Sequence, residues 1–213
     1  MIRVQRNVKP KVLIRKEKLW KSAILNAKTK EEKNKAVCRY KNLEIKKVLS
    51  KMFNGKCAFC ESYIEHIDYG DIEHFKPKSK FPESAVEWEN LLLSCKKCND
   101  KGQKGDSWPE EIEGGLLINP CDEDPSDFFE FIFDVKTNAT IIKPKNRRGQ
   151  TSEKVYGLNK PTLLIQRNRY VKKIVALALH YHEDINAKQI LEEAILDSAE
   201  YAAFARMVKA KYT

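Results

Sequence analysis

The chain has 213 residues, 42% of them hydrophobic and 33% charged, so it can bury a real core and has the composition of a folded protein, not a disordered one. The longest strong apolar run, 174–179, is far too short to span a bilayer, and no signal-like apolar stretch follows Met1, so a cytoplasmic protein without a membrane role is expected. The net charge of +10 is uneven: residues 1–56 carry 18 Lys/Arg against 4 Asp/Glu, and the remainder is net −4. A basic block of this kind suits either a polyanionic partner or a well-solvated helical face.

In chain order, residues 15–53 predict two helices. Leu19, Trp20, Ile24 and Leu25 give the first an apolar face. Thr29 with Glu32 has the form of a capping box for the second, and Val37, Tyr40, Ile45, Val48, Leu49 and Met52 recur at helical spacing until Gly55 ends it. Residues 57–106 are rich in Cys, His, Asp and Asn and predict a knuckle, a strand, a loop, a second strand and a helix. Residues 107–134 hold nine acidic and no basic side chains. Short β signals lie at 116–118, 129–135 and 140–142, with Lys136-Thr137-Asn138 as the turn between the last two. Lys143, Lys145, Arg147 and Arg148 form a basic patch after them. Pro161 opens a helix that buries Leu164, Val171, Ile174, Val175 and Ala178. Asn186 with Gln189 caps a last one, with Leu191, Ala194, Ile195, Ala202 and Ala205 inward. The organisation expected is a basic helical segment (1–56), a metal-rich core (57–106) and a hairpin with C-terminal helices (107–213), together one compact unit.

Six cysteines in a reducing compartment suggest metal before disulfides. Cys57-Ala58-Phe59-Cys60 and Cys95-Lys96-Lys97-Cys98 are two CxxC pairs with 34 residues between them. Two intervening residues let both thiolates of a pair face one ion from a tight turn, and two such turns complete a tetrahedron suited to Zn²⁺. Four thiolates leave no open position, so this zinc is structural. Cys38 and Cys121 stand outside the pattern and are expected to be small buried hydrophobes.

Between and just after the pairs run Asp71-Ile72-Glu73-His74-Phe75-Lys76-Pro77, then Glu89-Asn90-Leu91-Leu92-Leu93-Ser94, then Cys98-Asn99-Asp100-Lys101. Phosphodiester hydrolysis needs a base for water and a cation for the charge that grows on the leaving oxygen. Imidazole suits the first task, and a carboxylate with an amide suits a hard divalent ion for the second. Neighbours on a strand face opposite ways, so Glu73 and His74 share a site only through local distortion or placement at a strand end. Asp71 is read as part of the turn at Gly70. Lys101 and Lys104 either grip a nucleic-acid strand or end a solvated helix. His180 and His182 suit a helix C-terminus.

At these residues the sequence resembles the HNH, or ββα-metal, endonucleases. Their motif is an acidic–His step, a middle Asn and a final His or Asn, often inside a four-cysteine zinc knot. The resemblance implies His74 as general base and Glu73 and Asn99 as ligands of a catalytic divalent ion. It implies Asn90 as the residue that steadies the loop and orients the base. Many members have Asp where Glu73 stands, and Asn99 in place of a final His favours Mg²⁺ or Mn²⁺ over a second Zn²⁺. Further stretches are similar to the PtuB-type HNH nucleases of Septu and retron-linked anti-phage systems: 72–78, 88–95, Leu116-Leu117-Ile118-Asn119-Pro120 with Asp124-Pro125, and Gly157-Leu158-Asn159 with Arg167. That likeness implies DNA cleavage in anti-phage defence beside a PtuA-like ATPase of the ABC/SMC type. The fold expected is α+β, a ββα-metal core with a zinc knot, a small hairpin and helices at both ends. An RNase using the same residues, and a non-catalytic zinc-stapled adaptor for nucleic acid or a partner, are the alternatives.

Overall fold

The computed structural model describes residues 1–213 apart from Asn7, Ile67, Lys101 and Gly114. The chain forms two compact units, one from Val4–Ala58 with Ile64–Trp108 and the other from Met1–Arg3, Phe59–Tyr63 and Pro109–Thr213.

The first unit opens with three helices, α1 (Lys11–Leu25), α2 (Lys30–Val37) and α3 (Leu43–Met52). The capping box is formed: Thr29 accepts from the Glu32 N–H, and Glu32 reaches back to the Thr29 N–H. The sequence predicts one helix where α2 and α3 stand. A short 3-10 turn at Cys38–Tyr40 and the extended backbone of Asn42 (φ −116°, ψ 134°) separate them. The Asn42 side chain accepts from the Glu44 N–H at 2.9 Å, a local bond that competes with helix continuation and starts a new helix instead. Ile45, Leu49 and Met52 then give α3 a buried stripe at i, i+4 and i+7.

Two short strands follow, β1 (Asp71–His74) and β2 (Leu91–Ser94), paired antiparallel from Asp71↔Ser94 to His74↔Leu91. All four residues of β2 are buried, which explains its unbroken apolar run of leucines. Gly70 enters β1 at φ +63°, where a Cβ would stand 3.1 Å from Ile64 and 3.3 Å from the Ser94 carbonyl oxygen, so only glycine suits the corner. The helix expected at Asn99 is absent among the described residues. The Cys98 and Asn99 N–H groups both bond the Cys95 carbonyl, one turn's worth of helix. Gly102 and Gly105 (φ +30°) follow within a few residues, and the chain folds back so that the Lys104 N–H bonds the Cys98 carbonyl.

In the second unit, β3 (Phe129–Asp134) and β4 (Ala139–Pro144) form an antiparallel hairpin whose turn includes Asn138 at φ 52°. Residues 116–118 are not a strand. The Ile118 N–H donates to Ser152 and its carbonyl accepts from the Tyr156 hydroxyl, so α4 (Arg147–Tyr156) satisfies this backbone in place of a ladder. The basic patch is occupied within the unit: Arg148 makes a two-pronged pair with Glu123, Arg147 and Lys145 reach main-chain carbonyls, and Lys143 faces Glu130. Three helices complete the unit, α5 (Pro161–Ala178), α6 (Ile185–Ala194) and α7 (Ala202–Tyr212). The buried face of α5 is turned slightly from the expected one, with Leu163 and Arg167 inward and Leu164 and Val175 half-exposed. Asp184, not Asn186, caps α6, accepting from the Asn186 and Ala187 N–H groups. Tyr201 at φ 50° separates α6 from α7, where the sequence reads as one helix. No helix among the described residues is long and apolar enough to cross a membrane.

Candidate active site

The Sγ atoms of Cys57, Cys60, Cys95 and Cys98 all lie within 4.8 Å of one another. Four thiolates around a tetrahedral zinc at ~2.3 Å sit roughly 3.8 Å apart, so the group is clustered closely enough to close on that ion. Backbone bonds tie the knuckle to the hairpin: the Ala58 N–H donates to the Leu93 carbonyl at 2.8 Å. Cys38 is exposed and Cys121 half-exposed, against the expectation that both are buried. Cys38 lies in the 3-10 turn between α2 and α3, on its outer side.

A cleft of about 680 Å³ opens beside β1. Asp71, Glu73, His74 and Asn99 all line it, with Tyr40, Lys46 and Lys78 among the other walls. The strand period explains most of this. Asp71 and Glu73 are two apart and share a face, while His74 enters as the last residue of β1. Asp71 accepts from the Asn99 amide nitrogen at 3.2 Å, which makes it a cleft residue as well as part of the Gly70 corner. The two-residue spacing from Glu73 was the signal for it. That bond engages the Asn99 amide nitrogen, and its amide oxygen is a further acceptor of a residue that lines the cleft. Asp71, Glu73 and Asn99 carry oxygen donors of the kind that a hard divalent ion takes.

His74 is 3% exposed. Its Nε2 lies 3.0 Å from the Ala85 carbonyl oxygen, which fixes Nε2 as the protonated nitrogen of the neutral ring and leaves the lone pair on Nδ1. The Tyr40 ring packs edge-to-face on it at 4.3 Å between centroids. Asn90 braces the loop that carries Ala85. Its amide nitrogen donates to the Ser84 and Lys76 carbonyls, and its amide oxygen accepts from the Lys76 N–H at 2.7 Å. The middle Asn of the motif therefore meets His74 indirectly, through the loop.

Burial sets the charges. It pushes the His74 imidazole down to about 4, opposed by the Ala85 hydrogen bond and helped by Lys78 and Lys104. It pushes the Glu73 carboxyl up to about 7, opposed chiefly by Lys104. Lys104 is fully buried, with Nζ 3.5 Å from Glu73 and 3.2 Å from the His74 main-chain carbonyl oxygen. It neither grips solvent-borne substrate nor ends a solvated helix; it neutralises Glu73 from behind. Lys101 lies outside the described residues.

Two outcomes follow. Stripping zinc from a chain expected to hold about one ion should expose the amides of residues 57–98 to rapid hydrogen exchange while the β3–β4 hairpin stays protected, and Cys95→Ser should lower zinc content. For His74 the folded pKa lies below the unfolded value of about 6.5, so the unfolded chain binds more protons between the two. Stability must then fall as the pH is lowered through that window, by roughly 1 kcal/mol from about pH 7 to 5.5. Glu73 acts oppositely, its raised value costing stability as pH climbs toward 7. Denaturant unfolding of wild type and His74→Gln at both pH values should therefore show the variant losing less on acidification.

A family model of HNH endonucleases matches residues 57–105, the span that holds both cysteine pairs and the cleft residues of β1 and Asn99. The chain is 31% identical to the Septu protein PtuB of Bacillus mycoides (strain KBAB4), over 92% of its own length and 80% of that relative's. It is 34% identical to the Septu protein PtuB of Bacillus thuringiensis, over 71% of its own length and 58% of that relative's. It is also 23% identical to the Septu protein PtuA of Bacillus mycoides (strain KBAB4), over 72% of its own length but only 25% of that relative's. With the four clustered cysteines, the acidic–His strand and a likeness to PtuB running along most of both chains, this protein belongs to the PtuB family and is an HNH endonuclease.

Proposed function

We propose that the chain hydrolyses phosphodiester bonds in DNA with His74 as the general base, as the nuclease arm of an anti-phage defence system in the cytoplasm. The observation that carries this reading is the shared cleft, in which His74 stands beside Asp71, Glu73 and Asn99. The Ala85 carbonyl holds the proton on Nε2, so Nδ1 of the neutral ring is the atom that accepts a proton from water. With its pKa near 4, His74 is in this basic form throughout the neutral range. As the ring takes the proton, the Ala85 hydrogen bond becomes charge-assisted and steadies the imidazolium. Asn90 keeps that carbonyl in place, which makes it a positioning residue. Glu73 and Asn99, with Asp71 at hand, would hold a Mg²⁺ or Mn²⁺ ion, which when bound neutralises charge on the leaving oxygen.

The defence role rests on membership of the PtuB family and on the names of the two similar Bacillus proteins, each a Septu protein. A PtuA-like ATPase of the ABC/SMC type is the partner this family membership suggests. A nuclease resident in a cell needs restraint, so the reading includes gating by that partner. A reducing cytoplasm keeps four thiolates available for zinc.

The test is side-by-side digestion of DNA and RNA by the chain with its ATPase partner, with and without Mg²⁺ or Mn²⁺. DNA should be cut only with the divalent ion, and His74→Ala should lower the rate by roughly 10²–10⁴-fold with zinc content and fold retained. Cleavage of RNA alone would overturn the DNA assignment. A His74→Ala protein as active as wild type would remove His74 as base.

A further inference from the structure

Three lysines line the cleft: Lys41, which is exposed, and Lys46 and Lys78, which are half-buried; a fourth, Lys104, lies behind the wall. Lys104 is fully buried on Glu73. Lys46, on α3, donates to the Gly70 main-chain carbonyl. Lys78 differs. It follows Pro77 at the turn beyond β1, lines the cleft and is half-buried. Its Nζ rests 5.6 Å from the centroid of the Tyr40 ring, the same ring that packs on His74. Its charge is felt by both Glu73 and His74. No carboxylate or carbonyl of the described residues holds its ammonium. A lysine this close to a catalytic pair, supported by an aromatic face and left without an anionic partner, has its charge available to a ligand.

The geometry points to Lys78 as the phosphate-binding residue of the cleft, its ammonium taking a non-bridging oxygen of the polynucleotide phosphate presented to His74. The assignment rests on the nuclease reading of this cleft and names a contact within it. Three features favour a phosphate. Asp71, Glu73 and Asp106 line the cleft, so an anionic substrate gains from a positive group held among them. Lys78 is better placed for this than the exposed Lys41: Tyr40 holds it by ring contact, its charge reaches Glu73 and His74, and no competing salt bridge has to break first. Pro77 precedes it, and the Lys80 and Phe81 N–H groups both bond the Pro77 carbonyl, so the turn that presents it is braced. A non-bridging oxygen at this position would sit near the imidazole lone pair's target and gain charge during attack, so the contact strengthens toward the transition state.

The experiment measures binding of a short single-stranded DNA to zinc-loaded protein with no other divalent ion, across a salt series, and then cleavage with Mg²⁺ and the ATPase partner present. Lys78→Gln should weaken binding and flatten the plot of log affinity against log salt by about 0.7, one phosphate contact's worth. Lys78→Arg should restore the slope, since a guanidinium also takes a phosphate oxygen. Lys47→Gln removes one charge from an exposed position of α3 outside the cleft and should leave the slope near the wild-type value. In cleavage, Lys78→Gln should lower kcat as well as raise KM. Equal slopes for Lys78→Gln and wild type, or an equal change in Lys47→Gln, would overturn the assignment. If wild type binds with the Lys78-dependent slope but never cleaves DNA or RNA, the nuclease reading fails while the phosphate contact stands.

Discussion

The pairing of β1 with β2 is the constraint on which the site depends. Four residues of each strand lie in register, and that register decides what faces the cleft. Asp71 and Glu73 share a face because they are two apart; a slip of one residue would turn that face over to Ile72 and His74. His74 joins them from the strand's last position, where the chain turns away and the ring is pinned by the Ala85 carbonyl. The loop between the strands is therefore part of the site. Asn90, at its end, fastens Lys76 and Ser84 together, and that fastening places Ala85. The knuckle bond from Ala58 to Leu93 holds the far edge of β2, so a metal knot and a two-stranded hairpin specify each other.

Buried charge gives the site its second property. Glu73 is 5% exposed and would be costly as a lone anion. Lys104 meets it from the protein side, so the carboxylate is partly compensated before any cation arrives. The same burial keeps His74 neutral, as a proton acceptor must be, yet makes it a weaker base than free imidazole. A site built this way gains strength from its electrostatics as water leaves it, because each remaining interaction acts at lower effective dielectric.

Much of this was legible in the residues. The spacing of the cysteines gives the knot, the Thr29–Glu32 pair gives a helix start, and the acidic–His step with two asparagines gives the cleft's main residues. Tertiary context hid the rest. Asn42 breaks a continuous helical pattern because its side chain offers the Glu44 N–H a better local partner. The helix after Cys98 fails because two glycines follow within seven residues and the chain must return to Cys98. Lys104 reads as a surface lysine in any sequence pattern; only the fold shows that it lies behind the cleft wall, against Glu73. Arg167 is buried against Phe204 within α5, where an aliphatic residue would be expected from periodicity alone. Tyr40 reads as a core residue of a helix, and it is one, but its ring is also a wall of the cleft.

The account stands or falls on whether carboxylate, amide and imidazole converge on one hard cation and one phosphate. Titration of Mn²⁺ into the zinc-loaded His74→Ala protein, followed by electron paramagnetic resonance, asks this without any turnover. One ion should bind beyond the structural zinc, and Glu73→Gln or Asn99→Ala in that background should abolish or strongly weaken it. Mn²⁺ binding that is indifferent to both substitutions would contradict the arrangement proposed for the cleft.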